Sequence, residues 1–300
     1  MNEEDMYSFE TLDVFTTVPF GGNPLAVFPE AERIPENLYQ RIAREMNLSE
    51  TVFVLPGDDA SHQYRFRIFT PARELDFAGH PVVGTACALA ARQDAKDFSF
   101  QARLNVGIAS IDVHKEGSLW KASFQVPSMP QAGPPPPEKE LLAQCLSLEL
   151  ADLISQDPEA YSCGAPFLFV ELASKEALSR CRLDLPLCEE HLINYWAPEI
   201  MPFFVEGTNI HSRMFAPRLG ISEDPATGGA AAALAGYLFR KFKSEISESR
   251  WNWQIHQGYD MGRPSLIEMQ MQIEKETLKG IRITGSSVPM LSGHLRPNKR

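Results

Sequence analysis

Cysteine is scarce in this 300-residue chain, and where it occurs it is badly placed for structural work. Cys87, Cys145, Cys163, Cys181 and Cys188 are odd in number, widely spaced and never form a C-x-x-C pair, so neither a disulfide framework nor a zinc site is indicated. The seven histidines show no H-x-x-x-H or H-E-x-x-H spacing, and no metal centre is expected. No window approaches eighteen consecutive apolar residues, which argues against a membrane-spanning helix. Positive charge is also short: 28 Lys+Arg stand against 39 Asp+Glu, a formal net charge of −11, with no basic run outside the tail Arg296 to Arg300. Nucleic acid is therefore not an expected partner. The opening MNEEDMYSFE has no signal-peptide pattern, and the expectation is a soluble, cytoplasmic protein. Nor is there a Walker sequence, a G-x-G-x-x-G fingerprint or a serine in G-x-S-x-G.

What the chain does have is enough apolar content, 44%, for one large core or two medium ones, and two domains are the default reading. The strongest composition break is VPSMPQAGPPPPEKE, Val126 to Glu140, whose proline density forbids helix and central strand and reads as an interdomain linker. FETLDVFTT, ETVFVLP and QYRFRIFTP are short strand candidates, while Asn37 to Met46 sets Leu38, Ile42 and Met46 on one helical face. IEMQMQIE alternates from Ile267 to Glu274 as a half-buried antiparallel strand does. Trp251 and Trp253 read as one strand face in a core. Cys87 sits in the apolar run VVGTACALAA, where a small buried hydrophobe explains it.

The two halves echo each other. GGNPLAVF returns in form as CGAPFLFV, and FTPARELDFAGHPVVGTACALAA (Phe69 to Ala91) parallels FAPRLGISEDPATGGAAAALAGYL (Phe215 to Leu238). Setting Gly79 against Gly229 puts Glu74 opposite Asp224 and leaves about four extra residues in the second loop. Each copy runs from an acid through glycine into a small-residue helix. A helix start offers unpaired N–H groups and a positive dipole end, so two such starts aimed at one cleft suit a carboxylate.

Three side chains on these devices are candidates for chemistry. Glu50 lies between the predicted helix and the strand TVFVL; it reads either as a solvated or capping carboxylate or as a general acid/base. His80 follows Gly79 in the first turn of the first small-residue helix, either bonded to backbone or poised to bond a ligand and move a proton. Asp224 reads as an N-cap, a role that stabilises a helix by about 1 kcal/mol, or as a pocket residue.

Taken together, FGGNPLAVF, NLSETVFV, FTPARELDFAGHPVVGTA, HSRMFAPRLGISEDPATGGAA, QGYDMGRPS and ITGSSVPMLSGHL resemble the phenazine-biosynthesis PhzF-like family, relatives of diaminopimelate epimerase. The resemblance covers nearly the whole chain in the family's order. It implies an α+β fold of two pseudo-symmetric domains, each a curled, mostly antiparallel sheet around a central helix, with the active site in the cleft between them. The expected division is 1–128 plus 285–300 for the first domain and 129–284 for the second. It further implies a cofactor-free isomerase, often a homodimer, that moves a proton on a small carboxylic acid. By the same resemblance Glu50 is the acid/base and His80 and Asp224 line the pocket, while Asn23, Ser49, Gly79, Thr227, Gly228 and Gly229 bind substrate. Family members commonly read D-P-A-T-G-S, so Gly229 stands where they carry a hydroxyl. Three functions remain open at this point. The first is the cofactor-independent isomerase, the second a non-catalytic carboxylate-binding protein that keeps the fold. The third is an amino-acid epimerase using Glu50 and His80 as opposed acid and base.

Overall fold

The computed structural model describes residues 6–57, 59, 62–94, 96–243 and 250–296; the basic tail beyond Arg296 lies outside them. The chain divides into two compact units, Met1–Pro127 with Thr284–Arg300, and Ser128–Ile283.

In the first unit the elements run β1 (Tyr7–Val14), β2 (Asn23–Phe28), α1 (Tyr39–Met46), β3 (Glu50–Pro56), β4 (Tyr64–Phe69), β5 (Glu74–Leu75), α2 (Gly79–Arg92), β6 (Asp97–Leu104), β7 (Gly107–Glu116) and β8 (Leu119–Gln125). The sheet order is β1-β2-β3-β4-β6-β7-β8, continued by the C-terminal part of β16 (Thr277–Leu295), which pairs back onto β1 from Tyr7↔Leu295 to Val14↔Ser287. Eight strands thereby close into a barrel. Its centre is α2, buried from Gly79 to Ala90, as a helix apolar on every side must be. Small residues let the strands come close. A Cβ on Gly84 would stand 2.5 Å from Leu25 Cδ2 and 2.6 Å from a Val14 methyl. Outside the sheet, α1 packs Tyr39, Ile42 and Ala43 against Phe28, Phe53 and Phe69, with Leu38 and Met46 at its margin. The Tyr39 and Phe53 rings stack at 4.1 Å.

The second unit runs β9 (Gln131–Ala132), α3 (Lys139–Cys145), β10 (Glu159–Ser162), β11 (Pro166–Glu171), α4 (Lys175–Arg180), α5 (Leu185–Leu192), β12 (Ile200–Glu206), β13 (Asn209–Ser212), α6 (Gly228–Phe242), β14 (Arg250–Gln257) and β15 (Ser265–Glu274), followed by the start of β16. Its order is β9-β10-β11-β12-β13-β14-β15-β16, and it wraps α6, buried from Gly228 to Leu238. Ile267, Met269, Met271 and Ile273 alternate inward along β15. Trp253 is buried on β14 with Trp251 beside it and Phe242 against both rings. Among the described residues, no helix is long and apolar enough to cross a membrane.

The boundary between the units falls inside the proline-rich stretch, after Pro127. From Ser128 the stretch belongs to the second unit, where β9 pairs with β10 and Gly133 N–H donates to Ala160 O at 2.8 Å. Proline excludes central strands but not a two-residue edge pairing.

Candidate active site

The first unit gathers three predicted residues into one buried group. After α1, Asn47 takes a left-handed conformation (φ 51°) and its N–H closes on Ala43 O at 3.1 Å, turning the chain sharply into β3. Glu50 is the first residue of that strand and sits opposite Leu25 of the parallel neighbour β2. Asn23 opens β2. Ala78 is extended and offers no side-chain cap, so α2 begins bare at Gly79 with His80 in its first turn.

Here His80 Nε2 lies 2.9 Å from Glu50 Oε2, and His80 Nδ1 lies 3.3 Å from Asn23 Nδ2. The three residues are only 3%, 7% and 0% exposed, in the order His80, Glu50, Asn23. Despite their closeness, neither Glu50 Oε2 nor His80 Nε2 makes an aligned hydrogen bond. Both atoms keep hydrogen-bonding capacity that this contact does not use. Gly79 is buried beside them in the helix start, and Ser49 is half-buried just before Glu50.

In the second unit Asp224 does not cap the helix. Pro225 and Ala226 intervene, and α6 starts at Gly228 with Thr227 at the capping position and no side-chain cap bond. Instead Asp224 builds the turn in front of the helix. Its N–H donates to Met214 O at 2.9 Å, and its Oδ2 accepts from Thr227 Oγ1 at 2.6 Å. The first intrahelical bond there is Ala231 N–H to Thr227 O, so the N–H groups of Gly228 and Gly229 have no partner within the helix.

Gln257, which sequence reasoning did not single out, locks this turn. It is fully buried at the end of β14; its Nε2 donates to Asp224 O (2.7 Å) and Thr227 Oγ1 (3.0 Å), and its Oε1 accepts from Thr227 N–H (3.1 Å). Gly258 follows with φ 78°, and a Cβ there would stand 2.3 Å from Arg263 O and 2.7 Å from Pro225 O. The available signal was a lone amide directly before that glycine, at the end of the alternating pattern of WNWQIHQ.

The internal repeat needs a correction. Glu74 pairs bidentately with Arg67 (2.6 and 2.8 Å), and its counterpart by geometry is Glu223, which grips Arg213 in the same way (2.8 and 2.7 Å). Each guanidinium also covers the ring two residues on, Phe69 at 5.4 Å and Phe215 at 5.0 Å. Glu74 follows its Arg by seven residues and Glu223 by ten, so the second loop is three residues longer. In that register Gly79 matches Gly228 and His80 matches Gly229; Asp224 has no acid opposite it.

The thiols stand apart from this chemistry. Burial pushes Cys87, Cys163 and Cys181 up to about 12, leaving them protonated at neutral pH.

The family model described as phenazine biosynthesis-like protein matches residues 12–293. The chain belongs to the phenazine biosynthesis-like (PhzC-PhzF) family. It is 38% identical over 290 residues to a trans-2,3-dihydro-3-hydroxyanthranilate isomerase of Pseudomonas fluorescens, covering 94% of this chain and 97% of that one. An uncharacterized isomerase of Mesorhizobium japonicum is 35% identical over 293 residues, covering 94% and 96%. The fold matches a crystal structure of a PhzF-family phenazine biosynthesis protein from Bacillus anthracis with a TM-score of 0.84 and 25% identity, over 97% of this chain and 99% of that one. Membership of this family, and the α+β architecture with a central helix in each unit, agree with the resemblance carried by the sequence motifs.

Proposed function

We propose that this PhzF-family protein is a cofactor-independent isomerase in which Glu50 is the general acid/base, shifting a proton within a small unsaturated or cyclic carboxylic acid. The observation that carries the reading is the buried Glu50–His80 pair at 2.9 Å, whose facing atoms have no aligned hydrogen bond. A carboxylate so placed takes a proton from a carbon activated by an adjacent π-system. It then returns that proton to another carbon on the same face of the substrate, so no external acid or oxidant enters the balance. Donors fixed nearby, among them the bare start of α2, oppose the negative charge that develops meanwhile; each such donor can be worth several kcal/mol of barrier. In the second unit, Asp224, Thr227, Gly228 and Gly229 are assigned to substrate binding. The relatives' name points to a ring acid of the dihydro-hydroxyanthranilate type, while the glycine at 229 favours a substrate variant that does not need the family's hydroxyl.

Glu50→Gln is the decisive variant. It preserves shape and removes the base, and turnover is expected to fall by about a hundredfold or more with ligand affinity nearly unchanged. In deuterated solvent, a proton held on Glu50 that exchanges before its return leaves deuterium at the product carbon; this label should accompany turnover and vanish in the variant. Exchange that persists in Glu50→Gln would remove Glu50 from the mechanism. A panel of unsaturated acids that bind with neither isomerisation nor exchange would favour a carboxylate-binding protein instead.

A further inference from the structure

The environment of the His80 ring specifies which of its nitrogens carries the proton. Asn23 is fully buried at the head of β2, and its side-chain nitrogen faces His80 Nδ1 at 3.3 Å. An amide NH2 offers only donors, so the ring nitrogen that meets it must present a lone pair. On the opposite edge, Nε2 lies 2.9 Å from the carboxylate oxygen Oε2 of Glu50, close although the two do not align as a hydrogen bond. A bare Nε2 there would set one lone pair against another in a site closed to water. Two neighbours on opposite edges of the imidazole therefore select the same tautomer.

We infer that Asn23 is a positioning residue that holds His80 in the Nε2–H form, so that His80 acts as a hydrogen-bond donor beside Glu50 and not as a second base. This rests on the reading of Glu50 as the acid/base. The consequence for mechanism is specific. To serve as the opposed base of an epimerase, His80 would have to accept a proton at Nε2, which already bears one. To serve as its acid it would have to give up that only proton and become an imidazolate. Protonating Nδ1 first would drive a ring N–H into the Asn23 amide. Both routes work against the buried side chains that surround the ring, and the proton inventory favours one residue, Glu50, that both removes and delivers the proton.

The test is a nitrogen NMR spectrum of the full chain with 15N-labelled histidine, the His80 ring being assigned by its loss in His80→Gln. The expected pattern is a bare nitrogen at Nδ1 and a protonated one at Nε2. A bare Nε2, as the reversed Asn23 amide would impose, or a doubly protonated ring would overturn the inference. Asn23→Asp replaces the donor with an acceptor and should draw a proton onto Nδ1, changing the ring pattern. It should also lower kcat by about tenfold or more with KM little altered, as loss of an orienting partner does. A folded Asn23→Asp protein with the wild-type ring pattern and rate would also overturn the inference; the wild-type spectrum decides even where that variant does not fold. The two readings fail separately. Undiminished turnover in Glu50→Gln removes the catalytic assignment, whereas a reversed tautomer with Glu50-dependent turnover removes only the role of Asn23.

Discussion

The starts of α2 and α6 share a frame and differ in what the frame holds. In each unit a strand arginine lies over the phenylalanine two residues on, grips a glutamate with both nitrogens, and leads five residues after that glutamate to the glycine that opens the helix. The next residue is His80 in one copy and Gly229 in the other. Around His80 the first unit places a carboxylate at one edge of the ring and an amide at the other. Around Gly229 the second unit places a satisfied turn of Asp224, Thr227 and Gln257, whose geometry suits holding backbone N–H groups open. The two ion-pair frames are alike, and the residues that follow them differ.

Paired variants put this comparison under strain. The largest effect is expected at Arg213, whose side chain is only 7% exposed and also donates to Cys181 O at 2.8 Å. Arg213→Met strands Glu223 and should cost about 3–5 kcal/mol in a urea melt. Arg67→Met should cost less, about 1–2 kcal/mol, because Glu74 is 27% exposed and its second partner Glu36 is 74% exposed, so water can take over. Equal losses would mean that the two frames carry the same load despite their different burial. Gln257 belongs to the turn of the second unit alone in its bonds to Asp224 and Thr227. Gln257→Glu keeps the shape but removes both donors, and a loss of about 1–3 kcal/mol is expected in the same melt; no loss would show that the turn stands without it. The smallest difference should be among the thiols. With Cys87 in one unit and Cys163 and Cys181 in the other all raised to about 12 by burial, each stays protonated at pH 8. None should be alkylated by iodoacetamide in the native state, as read by mass spectrometry.

Much of this was legible in the residues. ETVFVLP marks β3 to its ends, because bulky and β-branched residues stop at a proline, and Glu50 stands at its head. The small-residue runs became the central helices because nothing larger lets a sheet close around them. What failed was spacing. Asp224 looked like a cap because it is an acid before an alanine run, yet Pro225 and Ala226 carry the chain past it before the helix begins. The ion-pair frame was hidden because its two copies differ by three residues, and only geometry shows that Glu223, not Asp224, repeats Glu74. Gln257 was invisible for a different reason: a single amide has no periodicity, and its importance arises from bonds to residues about thirty positions earlier.

The long strand β16 also sets an order of assembly. Everything the second unit needs has been synthesised once Ile283 is in place. The first unit, though it is translated first, has an open seam along β1 until residues 287–295 arrive to pair with it. Its sheet therefore waits on the ribosome through the whole of its neighbour, a contact of very long sequence separation and correspondingly slow closure. The half that carries Glu50 and His80 is the one whose barrel closes last.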